Sequence, residues 1–371
     1  MPALSIGPRV RKSPFYDATL RHGAKAFTVY NHMYMPTVYK SPEEDYHSLV
    51  NDVTVWDVAG ERQVEIKGKD AAKLTQMLVT RDLSKCKVGQ AKYVLICDEK
   101  GGILNDPVML KLAKDHFWLS LADYDILLWA KAIAMCHGFD VSVTEPDVSP
   151  VQVQGPKAKL LMTDLFGDWV NDIKFYHFKE VDFEGMPLVV SRTGWSGEVG
   201  FEIFLRDSQF GDALWERLME AGRPYKVAPC APSQIKRIEA GLMSYLTDMN
   251  LNDNPFEVGL GWVVDLNSEA NFIGKEALHA IKNKGVKKER IGTVIHGDKI
   301  RGNEERWTVT KEGEPVGELT ICTYSPRLEK NIGIAILQTP YADENIAVEV
   351  HAPWGVLKAE TAQLPFIKSQ R

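Results

Sequence analysis

Gln63-Val64-Glu65-Ile66-Lys67 runs straight into Gly68-Lys69-Asp70-Ala71-Ala72. The first five residues alternate polar and apolar, the period of a half-buried strand. Asp70 then stands as the expected N-cap of a helix with apolar Ala71, Leu74, Met77 and Leu78. A second strand–glycine–helix unit follows at Val151 to Val153 and Gly155-Pro156, with proline suited to a first helical turn. One short echo does not establish a duplication.

Around this unit the chain reads as antiparallel strands with helices between them. Strands are expected at Val53 to Val58, Ala91 to Cys97, Ile103 to Leu110 and Phe117 to Leu121, with a tight turn at Gly101-Gly102. Asp123 is expected to cap a helix carrying Ile126, Leu127, Ala130, Ile133 and Ala134, ended by Gly138. The class is α+β, not a doubly wound parallel sheet. Residues up to about Lys40 read as an irregular, aromatic-rich segment. Ser149-Pro150 marks a boundary. After Lys284 helical patterns vanish and short alternating runs take over, which reads as a small all-β domain. The expected domains are residues 1–148, 149–284 and 285–371, the first two free to interleave in space.

The chain has 371 residues, 44% hydrophobic and 25% charged, enough for more than one buried core. Its net charge is -6 and no dense Lys/Arg block occurs, so a nucleic-acid partner is not expected. The basic cluster Lys284, Lys287, Lys288 and Arg290 reads as a solvated linker or helix end. The five cysteines are scattered and form no C-x-x-C pair, which argues against a disulfide framework and a structural metal site. Neither a secretory signal nor an apolar run of about 20 residues is present, so no membrane is expected and a cytoplasmic setting fits.

Walker A, H-E-x-x-H and G-x-S-x-G signatures are missing. Three segments remain. In Asn105-Asp106-Pro107-Val108, proline interrupts a strand and can leave the Asp106 carboxylate free at a cavity, or simply mark an edge turn. In Phe201-Glu202-Ile203, Glu202 points away from both apolar neighbours, either to solvent or into a cavity. A carboxylate there suits the donor edge of a pterin or guanine ring. Gln234 to Gly241 reads as a helix carrying Arg237 and Glu239, each of which reads equally as a surface charge.

Taken in order, further segments are more specific than any one alone. They include Thr80-Arg81-Asp82-Leu83, Gly89-Gln90-Ala91-Lys92-Tyr93, Gly101-Gly102-Ile103-Leu104-Asn105-Asp106 and Thr193-Gly194-Trp195-Ser196-Gly197-Glu198. Arg237-Ile238-Glu239-Ala240-Gly241, Phe272-Ile273-Gly274-Lys275-Glu276-Ala277-Leu278 and Thr323-Tyr324-Ser325-Pro326 complete the series. The series resembles the aminomethyltransferase (glycine-cleavage T-protein) family over nearly the whole chain. Within it, Tyr30-Asn31-His32-Met33, Asn105-Asp106-Pro107 and Gly194-Trp195-Ser196 look most like the branch that demethylates dimethylsulfoniopropionate.

The resemblance implies a three-domain cloverleaf, mostly antiparallel, with a C-terminal β-barrel-like domain and tetrahydrofolate as co-substrate in a central opening. It implies Asp106 as the catalytic carboxylate beside the folate nitrogens, Glu202 as the pterin holder, and Tyr93 and Arg237 as folate-site residues. Two departures bear on the donor. Trp195 stands where glycine-cleavage enzymes carry Tyr, and Ser233-Gln234 replaces their Arg-Asp pair. The implied donor is a small sulfonium acid, whose cation calls for aromatic faces. Tyr30 and Trp195 are the candidates, with Trp169 a weaker one because a Trp before Val170 also suits a core. Aminomethyl transfer, demethylation of another methylated amine or sulfonium, and a non-catalytic folate-binding role stay open. A homodimer is allowed but not specified.

Overall fold

The computed structural model describes residues 7–369. Gln63–Lys67 lies inside a five-stranded antiparallel sheet. Its order is Ser142–Thr144, Gln63–Lys67, His116–Ser120, Val108–Ala113 and Ala91–Tyr93. The helix Ala71–Leu78 follows Asp70, but the Asp70 side chain does not cap it. That carboxylate accepts from Lys73 and from the Asp140 N–H instead. Ala71, Leu74 and Leu78 pack on Val64, Ile66 and Phe117.

A six-stranded sheet runs Phe178–Phe183, Met186–Ser191, Gly200–Leu205, Ser149–Gln154, Val53–Asp57 and Val227–Cys230. Its pairs are antiparallel except the last, which is parallel. One face carries Val53, Val55, Val151, Val153, Phe201 and Ile203, packed with Leu161, Leu214 and Leu218 of the helices Ala158–Phe166 and Gly211–Ala221. On the other face Gln152 stands directly between Trp56 and Glu202. The period-2 alternation of strands thus sorts one apolar face from one functional face.

Six strands close the C-terminal barrel: Lys288–Ile295, Lys330–Gln338, Glu314–Ser325, Trp307–Lys311, Ala347–Ala352 and Gly355–Ala362, the last pairing back onto the first. Ala347–Ala352 alternates exposed and buried, and Val348 and Val350 join Leu319 and Leu337 in the barrel core. The α+β class and the C-terminal β domain are as the sequence implies.

Two further expectations are corrected. The N-terminal segment is regular: a helix, Tyr16–Arg21, precedes a hairpin of Ala26–Tyr30 and Met33–Val38. Asn31 and His32 turn it, both at positive φ (47° and 61°), the backbone of a two-residue hairpin turn. Asp123 is no helix cap, since the helix begins at Leu127 after Ile126. Asp123 instead accepts the Asn31 N–H at 2.7 Å and ties down the hairpin turn. Among the described residues no helix is long and apolar enough to cross a membrane.

Candidate active site

Pro107 interrupts pairing between the strands Ile103–Asn105 and Val108–Ala113, and Asp106 sits in the break. Asn105 pins it there. Its amide donates to the Ala122 and Tyr124 carbonyls at 3.3 and 2.9 Å, and its Oδ1 accepts the Ala122 N–H at 3.1 Å. Tyr93, paired across the sheet with Val108, donates its hydroxyl to Oδ2 of Asp106 at 2.8 Å. Oδ1 of Asp106 is buried with no hydrogen-bond partner among the described residues. Burial pushes this carboxyl up to about 7, against the Tyr93 bond, which favours the charged form. An unmet buried acceptor costs about 1–3 kcal/mol, so the site favours an incoming donor.

Glu202 is 5% exposed, which settles the choice between solvent and interior. Gln152 donates to its Oε1 at 2.7 Å and the Thr193 hydroxyl to its Oε2 at 2.5 Å. Burial lifts this carboxyl to about 7 as well. Oε1 of Gln152 is a second buried acceptor without a partner among the described residues. Glu61 completes the group: burial first, then the charges of Glu202 and Asp106, hold its carboxyl well above the ordinary range. Tyr30 faces the same anions, since burial and then Glu61, Asp106 and Asp123 raise its phenol. Gly60 admits it, because a Cβ there would lie 3.2 Å from the Tyr30 Cβ and ring.

Arg237 is wholly buried, and its charge is engaged. Nη1 donates to Asp248 at 2.6 Å and to the Leu242 carbonyl at 3.1 Å, and Nε to Gln234 at 2.6 Å. Its Nη2 has no partner among the described residues. The Trp195 ring centroid lies 5.7 Å from this guanidinium, and the indole N–H donates to the Met243 carbonyl at 3.3 Å. Asp248 in turn raises the carboxyl of Asp106, which links this layer to the first. The glycines around Trp195 are steric: a Cβ on Gly194 or Gly200 would come within 2.3 Å of the Gln154 side-chain amide.

Asp106, Tyr93, Glu202 and Tyr30 are therefore brought together, with Arg237 and Trp195 stacked behind. Trp169 is not among them. It lies in the turn Asp168–Asp172 against the apolar face of the six-stranded sheet, beside Phe166 and under Lys179. Three site residues escaped the sequence reading. Gln152 carried a signal, a polar residue inside Val151-Gln152-Val153. Glu61 and Trp262 carried none. Trp262 stacks on Tyr93 with centroids 6.1 Å apart and planes at 28°. Among the described residues no group of His, Cys, Asp and Glu is placed to hold a metal ion.

The donor set suits tetrahydrofolate. Buried acceptors without partners, Oδ1 of Asp106 and Oε1 of Gln152, stand with the Glu202 carboxyl, as a ring edge rich in N–H requires.

Comparison with known proteins agrees. Residues 15–268 match the GCVT N-terminal domain, and residues 288–368 the glycine cleavage T-protein C-terminal barrel domain. Dimethylsulfoniopropionate demethylase DmdA of Ruegeria pomeroyi is 42% identical over 94% of this chain and 95% of its own. An aminomethyltransferase of Bacillus mycoides is 30% identical over 98% of this chain and 99% of its own. The crystal structure of aminomethyltransferase T from Bartonella henselae shares the fold, at TM-score 0.88 and 22% identity, covering 97% of this chain and 99% of that one. With both family models matched in order, this chain belongs to the glycine-cleavage T-protein family, whose enzymes use tetrahydrofolate as co-substrate.

Proposed function

We propose that this chain moves a methyl group from dimethylsulfoniopropionate to N5 of tetrahydrofolate, giving 5-methyltetrahydrofolate and 3-(methylthio)propionate. The observation that carries this reading is the buried Asp106 carboxyl with one unmet oxygen, in the company of Glu61 and Glu202. Such a pocket favours N–H donors and a cationic donor molecule. The 42% identity to a dimethylsulfoniopropionate demethylase supports the choice of methyl donor.

Tetrahydrofolate supplies the N5 lone pair that takes the methyl group, while sulfur keeps the bonding pair and leaves as a neutral thioether. That leaving group needs no acid, so the protein's work is alignment and charge. Glu202, presented by Gln152 and Thr193, and Oε1 of Gln152 accept from the pterin donor edge. Tyr93 and Trp262 offer stacked faces beside it. Tyr30 and Trp195 offer rings to the sulfonium, a contact worth roughly 2 kcal/mol when desolvated. Glu61, its carboxyl raised by burial and by its acidic neighbours, gains its charge more readily when a cation enters. Asp106 stabilises the positive charge that grows on the accepting nitrogen and takes its proton, a role suited to a carboxyl near 7.

The test mixes purified protein, tetrahydrofolate and dimethylsulfoniopropionate and follows both products by chromatography. Stoichiometric formation of 5-methyltetrahydrofolate is expected. Product formed only from other methylated amines or sulfonium compounds, or only in glycine cleavage, would reject this donor. Folate binding with no turnover from any donor would favour the non-catalytic reading.

A further inference from the structure

The hairpin that carries Tyr30 has little core to hold it. Of its first strand, Ala26–Tyr30, three residues are exposed and none is buried. Its turn is anchored by the side chain of Asn31, which is only 6% exposed. The Asn31 amide donates to the Ala122 carbonyl at 2.8 Å and to the Gly60 carbonyl at 3.1 Å. A carboxamide has two hydrogens to give, and both are used. Asparagine also accepts the positive φ of this turn more readily than most residues.

Each acceptor leads to a site residue. Gly60 precedes Glu61, and Tyr30 packs against Gly60. Ala122 is gripped at both its N–H and its carbonyl by Asn105, the residue before Asp106. The Ala122 carbonyl therefore accepts from Asn31 on behalf of the hairpin and from Asn105 on behalf of the strand break. Two hydrogen bonds to one shared oxygen join the segment of Tyr30 to the segment of Asp106. An amide placed only to satisfy buried carbonyls has no need to join these two segments.

We infer that Asn31 is a positioning residue for methyl transfer: its amide fixes the gap between the Tyr30 ring, which faces the sulfonium, and the Asp106 carboxyl, beside the accepting nitrogen. The inference rests on the function proposed above. Because the thioether leaves without an acid, alignment of donor and acceptor carries much of the rate, and a misplacement near 1 Å costs roughly a hundredfold. Asn31 touches neither reactant in this scheme. It acts through Tyr30 on one side and through Ala122 and Asn105 on the other.

The test is Asn31→Gly, which removes the amide and keeps the positive φ without strain. Melting scans establish that it is folded. Tetrahydrofolate affinity and the KM for dimethylsulfoniopropionate should stay within about threefold of wild type, while the single-turnover transfer rate falls roughly a hundredfold. The acidic limb of the kcat/KM profile should stay in place, since the bonds around Asp106 itself are untouched. Asn31→Asp has the same size and can restore at most one of the two donations. It should show the same split, and it carries the comparison if the glycine variant melts below the assay temperature. A wild-type transfer rate in the folded variant would overturn the inference and leave the methyl-transfer reading standing. A folate affinity or donor KM that worsens as steeply as the rate would also overturn it, assigning Asn31 to binding, and a shifted limb would assign it to the charge of Asp106. Absence of transfer from this donor in the wild type would remove the proposed function and this inference together.

Discussion

The Tyr93 hydroxyl donates to one oxygen of Asp106 at 2.8 Å, while the other oxygen of that carboxyl is buried with no donor to it among the described residues. One side of the group is fixed by the protein and the other is held for a ligand. Asp106→Asn keeps the shape and removes the base. Folate affinity should stay within a few-fold of wild type, and single-turnover methyl transfer should fall by roughly 10²–10⁴. Full turnover in this variant would remove Asp106 from its role.

Tyr93→Phe removes the bond that favours the charged carboxylate of Asp106. The carboxyl should then titrate higher than its present value of about 7, and the acidic limb of kcat/KM should move to higher pH. A limb that stays in place would belong to another group.

Burial holds Asp106 and Glu202 at about 7, above their unfolded values near 4. The fold therefore prefers their neutral forms. That contribution to stability is complete below about pH 4 and is lost as pH rises to about 7. Asp106→Asn, neutral at every pH, should melt several degrees above wild type at pH 8 and show no such advantage near pH 4. Calorimetric scans at the two pH values check the sign.

Arg237→Ala strands Asp248 in the interior, since both side chains are wholly buried and joined at 2.6 Å. Removing one partner of such a pair costs about 3–5 kcal/mol. Urea denaturation should show a loss of that size. Wild-type stability would mean that water reaches Asp248 once the guanidinium is gone.

Much of this site was legible because strand periodicity reports direction. Phe201-Glu202-Ile203 required Glu202 to face away from the core cluster, and it does. Asp106-Pro107 required a break in pairing, and the break holds the carboxyl. Whether Glu202 met solvent or an interior depended on what lay across that face, which no local pattern encodes. Glu61 follows the turn at Gly60 and reads as an ordinary loop acid until Asp106 and Glu202, distant in sequence, are folded against it. The Asn31-His32 turn lacks glycine, so the hairpin it closes left no signal. Trp169 shows the converse, an aromatic of suitable chemistry whose neighbours place it on the other face of the sheet.

The strand Val53–Asp57 is flanked by Ser149–Gln154 on one side and Val227–Cys230 on the other. During synthesis both its edges are open until Gln154 has left the ribosome, and the second stays open until Cys230 follows. A fragment ending before Ser149 would display that apolar ribbon to other chains and aggregate. Splitting the gene at that point should yield soluble protein only when both pieces are made in the same cell.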